Sequence, residues 1–365
     1  MTESTIRHIV YRIGSLGDSV VSLPSLYVLK KKFPDDSFIL LCDRQAGDPR
    51  VLADELFKNM GLFEQVLTYP VDSNSGKLKR FWNMGLLWSQ VRRTGARRLS
   101  YLAPSSRTPR QIKRDLFFFK LGGIKEFLGI KGFMELPAKK PGVPLPSVPQ
   151  EADLLLARLA HDGIEIPKAG EGNMDLALGE TDQKEFQKWL NLQKSDQGRP
   201  WLAVAPFSKQ PVKVWPAGRY RNVVKKLIEQ FKVWPVVFGS VQESPEAQAM
   251  IEAWDCGYNA AASLGVRAAA LALSKCVLYV GADSGPIHLA AAVKTPCVGV
   301  YSAHGIPGRW SPYGEGHTVI RLHPDCEGCQ LAECIEQGMK CILEIGEEKV
   351  LAACVEKLST KLVPR

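Results

Sequence analysis

Short runs of apolar residues alternate along the chain with segments in which apolar residues recur every three or four positions. The runs have the length and β-branched character of buried strands, and the periodic segments are typical of amphipathic helices. The first elements are a strand at 6–13, a helix at 19–33 and a second strand at 37–42. This order predicts a βαβ unit, and therefore a parallel sheet with helices on its faces.

The same alternation continues through both halves of the chain, which favours two domains. A loop-like stretch at 163–175 separates the halves, and we place the boundary between an N-terminal domain, 1–172, and a C-terminal domain, 173–365. The predicted fold class is α/β, with two Rossmann-like, doubly wound domains facing a central cleft and ligands at the carboxyl ends of the strands. Further strands are predicted at 65–69, 99–103, 200–205, 233–238, 277–280 and 297–301, and further helices at 48–60, 76–98, 151–161, 183–192, 220–231, 246–254, 268–275, 286–293 and 347–358.

The stretch 277–292 has the layout of a phosphate-binding site, with a strand, a glycine-containing turn and a helix. In such a layout the free N–H groups and the positive end of the helix dipole point at whatever lies over the turn. Asp283 and Ser284 either only cap the helix or also contact a ligand. His288, one turn into the helix, is either structural or a ligand contact.

The turn after the first strand contains only two glycines, Gly14 and Gly17. It lacks the G-x-G-x-x-G fingerprint of dinucleotide-binding folds, in which glycines allow the backbone to approach the pyrophosphate. The sequence therefore gives little support to a nicotinamide-dependent enzyme.

Length and composition are those of an ordinary globular chain, with 365 residues, 45% of them apolar and 23% charged. No run of about 18 apolar residues occurs, and the chain opens without an apolar signal region. Its nine cysteines do not form the pattern of a secreted disulfide scaffold, so we expect a cytoplasmic protein. The last four residues, 362–365, resemble a protease-site remnant and are set aside.

The net charge of +9 is unevenly distributed. Residues 77–140, here called the basic segment, contain 16 Lys and Arg residues against three acidic ones. Such a local field attracts nucleic acid, a phosphorylated glycolipid or a membrane surface, unless it is only a solvated face. Within it, aromatic residues at 117–119 lie among cations, which suits an acceptor pocket, a peripheral membrane contact or a helix that packs its aromatics into the core.

Four cysteines cluster near the C-terminus: Cys326, Cys329, Cys334 and Cys341. A C-x-x-C pair followed by two further thiols is a pattern that can hold structural zinc or iron as tetrahedral thiolates. The second pair lacks C-x-x-C spacing, so thiols packed beneath the final helix remain the alternative.

Three short motifs occur in order along the chain: G-D-x-x-x-S/T-x-P at 17–24, K-x-W-P at 213–216 and D-S/T-G-x-x-H at 283–288. Together they resemble the motifs of glycosyltransferase family 9, the heptosyltransferases, which have the GT-B fold. The resemblance extends over nearly the whole chain, and it gives the two predicted domains their roles. The N-terminal domain would bind the acceptor, and the C-terminal domain the nucleotide-sugar donor.

The resemblance implies inverting transfer of a sugar from a nucleotide diphosphate donor, with no cofactor and no catalytic metal. Asp18 would be the base for the acceptor hydroxyl, and Lys213 would neutralise the charge of the diphosphate. The remaining candidate site residues are donor contacts (Ser208, Lys209, Gly239, Ser240, Asp283, Ser284, Gly285 and His288) and acceptor contacts (Gly14, Gly17, Arg110 and Arg114).

By the same resemblance the donor is ADP-heptose, and the acceptor is an anionic glycolipid of the lipopolysaccharide-core type at the inner face of the cytoplasmic membrane. Two departures open alternatives: Phe207 stands where the family often has glycine, and no acidic residue directly follows the strand at 233–238. The alternatives are a transferase for another nucleotide sugar with a polysaccharide, protein or small-molecule acceptor, and a non-catalytic nucleotide-sugar-binding protein. A nucleic-acid partner is disfavoured because Asp18, Lys213 and Asp283 are all present.

Overall fold

A parallel sheet organises the first of two units in the computed structural model, which describes residues 5–44, 53–70, 76–140, 143–261 and 263–362. The strand order is β3-β2-β1-β4-β5, and every pairing is parallel. All the carboxyl ends of these strands therefore lie along one edge of the sheet. The strands are β1 (Arg7–Tyr11), β2 (Ser37–Arg44), β3 (Gln65–Pro70), β4 (Arg98–Tyr101) and β5 (Glu126–Leu128).

The helices of this first unit connect the strands and cover the sheet. The single helix predicted at 19–33 is in fact two helices, separated at Ser22. Pro24 accounts for the break, because proline has no N–H to donate and is tolerated only in the first turn of a helix. The helices are α1 (Leu16–Val20), α2 (Leu23–Lys32), α3 (Ala53–Phe57), α4 (Lys77–Thr94), α5 (Pro109–Leu121) and α6 (Glu151–Ala160).

The second unit is built around another parallel sheet, with the order β11-β10-β9-β6-β7-β8. Its strands are β6 (Trp201–Ala205), β7 (Trp234–Val237), β8 (Tyr258–Asn259), β9 (Cys276–Ala282), β10 (Cys297–Tyr301) and β11 (Thr318–Arg321). Its helices are α7 (Glu180–Leu190), α8 (Ala217–Phe231), α9 (Ser244–Trp254), α10 (Val266–Ser274), α11 (Gly285–Ala292), α12 (Lys340–Leu343) and α13 (Glu347–Leu362).

The strand predicted at 277–280 continues two residues further than expected, because Gly281 belongs to β9 and not to a turn. A Cβ atom at this position would lie 2.5 Å from the carbonyl oxygen of Ala205 on the neighbouring strand. Glycine is therefore needed here for close approach of two backbones. The turn between β9 and α11 is correspondingly short and consists of Asp283 and Ser284.

The two units are formed by Met1–Leu136 with Glu151–Ala177, and by Pro137–Gln150 with Leu178–Arg365. The segment Pro137–Gln150 thus belongs to the second unit, although the residues on both sides of it belong to the first. A single boundary at 172/173 does not describe this crossing of the chain between the units. Glu327 fixes this segment, since its buried carboxylate accepts a hydrogen bond from the Leu145 N–H at 3.0 Å and pairs with Arg321 at 2.9 Å. The domain boundary at 172/173 stays a prediction.

Most of the predicted helices and strands occur in the structure, with ends that differ by a few residues. The helix predicted at 48–60 is observed only as α3, and its first part, 48–52, lies outside the described residues. Residues 363–365 of the apparent protease-site remnant also lie outside them. Within the described ranges, no helix has both the length and the apolar character needed to cross a membrane.

Candidate functional site

Asp18, the predicted base, lies in the first turn of α1, and residues before this helix hold its side chain in a defined orientation. Both the N–H and the hydroxyl of Ser15 donate hydrogen bonds to Oδ2 of Asp18, at 2.9 and 3.0 Å. This is the reciprocal capping arrangement at the start of a helix. On the other side, Nη2 of Arg12 lies 3.2 Å from Oδ1. Arg12 is 1% exposed and the Asp18 side chain 18%, so the guanidinium is buried while the carboxylate keeps access to solvent.

Gly14 makes room for this carboxylate. Its φ angle is +122°, and a Cβ atom there would lie 2.4 Å from Cγ of Asp18. The Gly14 N–H also donates to Oδ1 of Asp43 at 2.8 Å. Sequence reasoning missed Asp43, although it is a polar residue following the apolar run of β2 at the carboxyl edge of the sheet. Gly17 is buried within α1, and its predicted acceptor contact remains a prediction.

The two acceptor arginines on α5 differ in their surroundings. Arg110 is exposed. The guanidinium of Arg114 donates two hydrogen bonds to Oδ1 of the buried Asp115, at 3.0 and 2.7 Å. Asp115 also accepts a hydrogen bond from the Tyr101 hydroxyl at 2.8 Å. Arg114 is therefore already engaged by a carboxylate, whereas Arg110 presents its charge to solvent; their roles in acceptor binding remain predictions.

Tyrosine hydroxyls that were not predicted as site residues gather at the same edge of the first sheet. The hydroxyls of Tyr11 and Tyr69 lie 3.2 Å apart, and Tyr101 ends β4 beside Asp115. Burial, with the nearby charge of Asp115 as a second cause, raises the pKa of Tyr11 to about 12. Burial also raises the pKa values of Tyr69 and Tyr101. The Tyr101 proton is already donated to Asp115, and one of the Tyr11 and Tyr69 hydroxyls donates to the other, so these phenols form a largely buried hydrogen-bonded group at the sheet edge.

In the second unit, Lys213 and Asp283 form an ion pair at the carboxyl edge of the sheet. Lys213 ends a short 3₁₀ turn, Pro211–Lys213, that follows β6, and Asp283 follows the neighbouring strand β9. Nζ of Lys213 lies 2.8 Å from Oδ2 of Asp283, and both side chains are half-buried. Two residues 70 positions apart in the sequence are thus brought into direct contact by the pairing of β6 with β9.

The start of α11 has the geometry expected of an anion-binding turn. Ser284 is the N-cap residue in extended conformation, Gly285 is the first helical residue, and Pro286 follows where a missing N–H costs nothing. His288 is buried, and its ring centroid lies 6.0 Å from that of Trp310 in an edge-to-face arrangement. Packing against Trp310 gives His288 a structural role, and its donor contact remains a prediction.

Phe207 covers the turn after β7, where the two predicted donor residues Gly239 and Ser240 lie. A Cβ atom on Gly239 would lie 2.9 Å from Cδ2 of Phe207 and 3.0 Å from Oε2 of Glu243. The carboxylate of Glu243 accepts a hydrogen bond from the Ser240 N–H at 2.6 Å. An aromatic ring and a carboxylate therefore meet at this turn, and the acidic residue is four positions beyond Gly239.

The loop that follows Phe207 holds the last two donor candidates. Ser208 is half-buried, and its hydroxyl accepts a hydrogen bond from the Gln210 N–H at 3.3 Å. Lys209 is exposed. Sequence reasoning missed a further residue at this edge, His304, which follows β10. Burial, and next the charge of Lys213, lowers the pKa of His304, so its imidazole is neutral at pH 7.

The cysteine cluster does not have the geometry of the predicted metal site. Among the described residues, no three His, Cys, Asp or Glu side chains are arranged to hold a metal ion, so the structure does not support structural zinc or iron at Cys326 and its neighbours. Cys334 and Cys341 are buried in a small apolar cluster with Val212 and Ala303. The thiols of Cys334 and Cys341 therefore support the turn that carries Lys213, whereas the alternative of thiols packed beneath the final helix stays a prediction.

Comparisons with known proteins agree with these motifs. Residues 153–340 match the profile of glycosyltransferase family 9 (heptosyltransferase). The lipopolysaccharide core heptosyltransferase OpsX of Haemophilus influenzae is 26% identical over 166 residues, which are 44% of this chain and 45% of that protein. The chain thus spans about half the length of the curated relatives it matches.

Solved structures resemble the chain over nearly its whole length. A family 9 glycosyl transferase from Veillonella parvula has a TM-score of 0.74 and 18% identity, covering 99% of each chain. The E. coli ADP-heptose lps heptosyltransferase II has a TM-score of 0.68 and 18% identity, covering 98% of this chain and 99% of its own. At this level of identity the likeness concerns the fold, and it confirms the predicted α/β class of two Rossmann-like units.

Proposed function

Because the chain belongs to glycosyltransferase family 9, the heptosyltransferases, we propose that it is an inverting glycosyltransferase acting on a nucleotide diphosphate sugar. The names of its relatives suggest ADP-heptose as the donor and a lipopolysaccharide core as the acceptor. We propose the same substrates for this chain. The acceptor would be an anionic glycolipid reached from the cytoplasmic face of a membrane, and the charge of the basic segment supports this choice.

The ion pair of Lys213 with Asp283 at the start of α11 is the observation that carries the proposal. In the free protein the ammonium group is neutralised by a carboxylate 2.8 Å away. A diphosphate at the helix N-terminus would compete for the same ammonium and gain the N–H groups of the first helical turn. As the bond between sugar and diphosphate breaks, these groups would stabilise the charge that develops on the leaving group.

Asp18 supplies the second requirement, a base for the acceptor hydroxyl. In a single displacement, the hydroxyl oxygen attacks the anomeric carbon from the side opposite the diphosphate. Its proton passes to the Asp18 carboxylate, and the bond to the diphosphate breaks with its electron pair, which inverts the configuration. Ser15 and Arg12 position the carboxylate without closing it off from solvent.

The experiment that tests this function separates binding from chemistry. We expect Asp18→Asn to lower transfer from ADP-heptose by about 10²–10⁴-fold, the usual contribution of a general base, while ADP still raises the melting temperature. Lys213→Ala should weaken both ADP binding and transfer. Asp35→Asn and Lys275→Ala, which change exposed residues of the same types, are the matched controls and should behave as wild type. Full transfer by Asp18→Asn would contradict the assignment of the base.

Phe207 favours a second candidate, a transferase for a different nucleotide sugar. Phe207 fills the space beside Gly239 where a glycine would admit the donor more closely. Melting temperatures with ADP, UDP, GDP, CDP and TDP decide between the donors, because only a nucleotide that binds the folded protein raises the melting temperature. A rise in melting temperature with ADP alone supports ADP-heptose as the donor. A rise with another nucleotide instead would mean that the donor carries that nucleotide. Binding without transfer by the native chain would favour the non-catalytic alternative.

A further inference from the structure

Helix α4 has apolar residues on two opposite faces. One face is buried, with Leu87 and Val91 packed into the core of the first unit. Successive residues of an α-helix are rotated by about 100°, so residues nine positions apart lie on opposite sides. Leu78 is nine residues before Leu87, and Trp82 is nine residues before Val91. An apolar face thus points directly away from the core.

This outward face, here called the aromatic face, has no partner among the described residues that would bury it. Its large apolar side chains are between 59% and 80% exposed: Leu78, Phe81, Trp82 and Leu86. They recur at helical spacing of three and four residues and so form one contiguous stripe. Exposed apolar patches that contain aromatic side chains mark sites of interaction with proteins or membranes.

Helix α5 packs beside α4 and also exposes apolar side chains. Gly122, the residue after α5, allows close packing, since a Cβ atom there would lie 2.8 Å from Cγ1 of Val91. Two further apolar side chains of α5, Phe117 and Leu121, are more than half exposed. One cation, Lys120, lies between them in the sequence.

The charge around the aromatic face indicates what covers it. The sequence of α4 contains five cations and no acidic residue, and the basic segment that includes both helices has 16 cations against three acids. The cations lie in the sequence of the two end turns of α4, and near the C-terminal end the guanidinium of Arg92 lies 5.5 Å from the ring centroid of Trp88. Two copies of so basic a surface would repel each other, which disfavours self-association and favours an anionic partner.

We propose that the aromatic face docks on an anionic lipid bilayer. Phe81 and Trp82 enter the region of the lipid headgroups, where aromatic side chains are most favourable, and the cations of α4 and α5 lie against lipid phosphates. This inference rests on the proposed function, because docking would hold the acceptor-binding domain at the membrane that contains the acceptor. The binding to lipid does not itself require transfer activity.

Vesicle co-sedimentation tests the proposal with the full chain. We expect binding to vesicles of phosphatidylcholine mixed with phosphatidylglycerol, weaker binding at high salt, and little binding to phosphatidylcholine alone. The double variant Phe81→Ser/Trp82→Ser should lose at least about tenfold in affinity for the anionic vesicles, because its interfacial aromatic groups are gone. The matched control is Leu192→Ser/Ile335→Ser, which changes two equally exposed apolar residues of the second unit and should bind as wild type.

Three outcomes would overturn the proposal. They are no binding of wild type to anionic vesicles at low salt, equal binding by Phe81→Ser/Trp82→Ser, and self-association of wild type that this variant abolishes. Transfer to a soluble, deacylated acceptor, measured on the same variant, keeps this test separate from the proposed function. Lost vesicle binding with retained soluble transfer supports the docking surface, whereas vesicle binding without any transfer would count only against the proposed activity.

Discussion

Gly14 leaves the space in which the carboxylate of Asp18 lies. We expect Gly14→Ala to displace that carboxylate, because the new Cβ atom would lie 2.4 Å from Cγ of Asp18 and the φ angle of +122° is strained for alanine. A shift of about 1 Å in a catalytic group costs on the order of 10²-fold in rate. The variant should therefore lose transfer activity while ADP still raises its melting temperature, since the candidate ADP contacts belong to the second unit.

The control for this substitution is Gly218→Ala in α8. There the nearest atom to a new Cβ is Nη2 of Arg221 at 3.8 Å, so nothing has to move. Because alanine is the better helix former, this variant should keep its activity and melt no lower than wild type. Unchanged transfer by Gly14→Ala would show that the position of Asp18 does not limit the reaction.

The candidate site could be predicted from the sequence only where a residue belongs to a motif. Asp18, Lys213 and Asp283 were selected in this way, and the structure brings the last two into contact. Asp43 and His304 were missed because each is a single polar residue at the end of a strand. Whether such a residue lies near the site depends on which strands are neighbours in the sheet. Strand order is set by the tertiary fold and cannot be predicted from a local sequence pattern.

At the scale of elements, the buried pair of Asp182 and Arg267 joins α7 to α10. The guanidinium donates to both carboxylate oxygens, at 3.0 and 2.8 Å, and Asp182 also caps α7 through the Gly179 N–H. We expect Arg267→Met to lower the free energy of unfolding by about 3–5 kcal/mol, because it leaves a buried carboxylate without its counter-charge. Urea unfolding followed by circular dichroism measures the effect.

The exposed pair of Lys184 and Glu180 on the same helix α7 provides the comparison. Its atoms are 3.7 Å apart, and both side chains are largely in solvent, where ion pairs contribute little. Lys184→Met should change the free energy of unfolding by less than about 0.5 kcal/mol. Similar losses in Arg267→Met and Lys184→Met would mean that burial of the Asp182 pair does not determine its effect.

Elements were predicted well where they are long or central, and poorly at the sheet edges. The three strands that sequence reasoning missed, β5, β8 and β11, are all edge strands of two to four residues. Edge strands this short bury only part of their surface and need no apolar run, so periodicity does not identify them, whereas the longer edge strand β3 was predicted. The central strands β1, β6 and β10 are almost entirely buried and mostly apolar, and all three were found.

At the scale of the whole molecule, histidines with lowered pKa values in both units make stability depend on pH. His8 is fully buried in the first sheet, with Nδ1 3.0 Å from Oδ2 of Asp36 and Nε2 2.8 Å from Oγ of Ser100. Burial lowers its pKa, and the hydrogen bond with Asp36 only partly opposes this effect. In the second unit, burial is also the main cause that lowers the pKa values of His304 and His317.

The direction of the pH dependence follows from these lowered pKa values. Below about pH 6.5 the unfolded chain binds protons that the folded protein does not, so stability is complete above that pH and is lost as the pH falls. Each histidine contributes a slope of at most about 1.4 kcal/mol per pH unit. Asp36 and Glu327 are carboxylates with lowered pKa values, and the stability that they contribute is lost only below about pH 4.5. The loss of stability between about pH 6.5 and pH 5 is therefore assigned to the histidines.

We therefore expect the urea midpoint to fall between about pH 7 and pH 5, and the fall to be smaller in His8→Gln, which cannot titrate there. The slope with pH is the informative quantity, because the substitution also removes packing and lowers stability at every pH. The control is His161→Gln, which replaces an exposed histidine and should leave the slope unchanged. A midpoint that stays constant or rises on acidification would mean that these imidazoles take up protons within the folded protein, and that the sheet of the first unit tolerates a charged His8 beside Asp36.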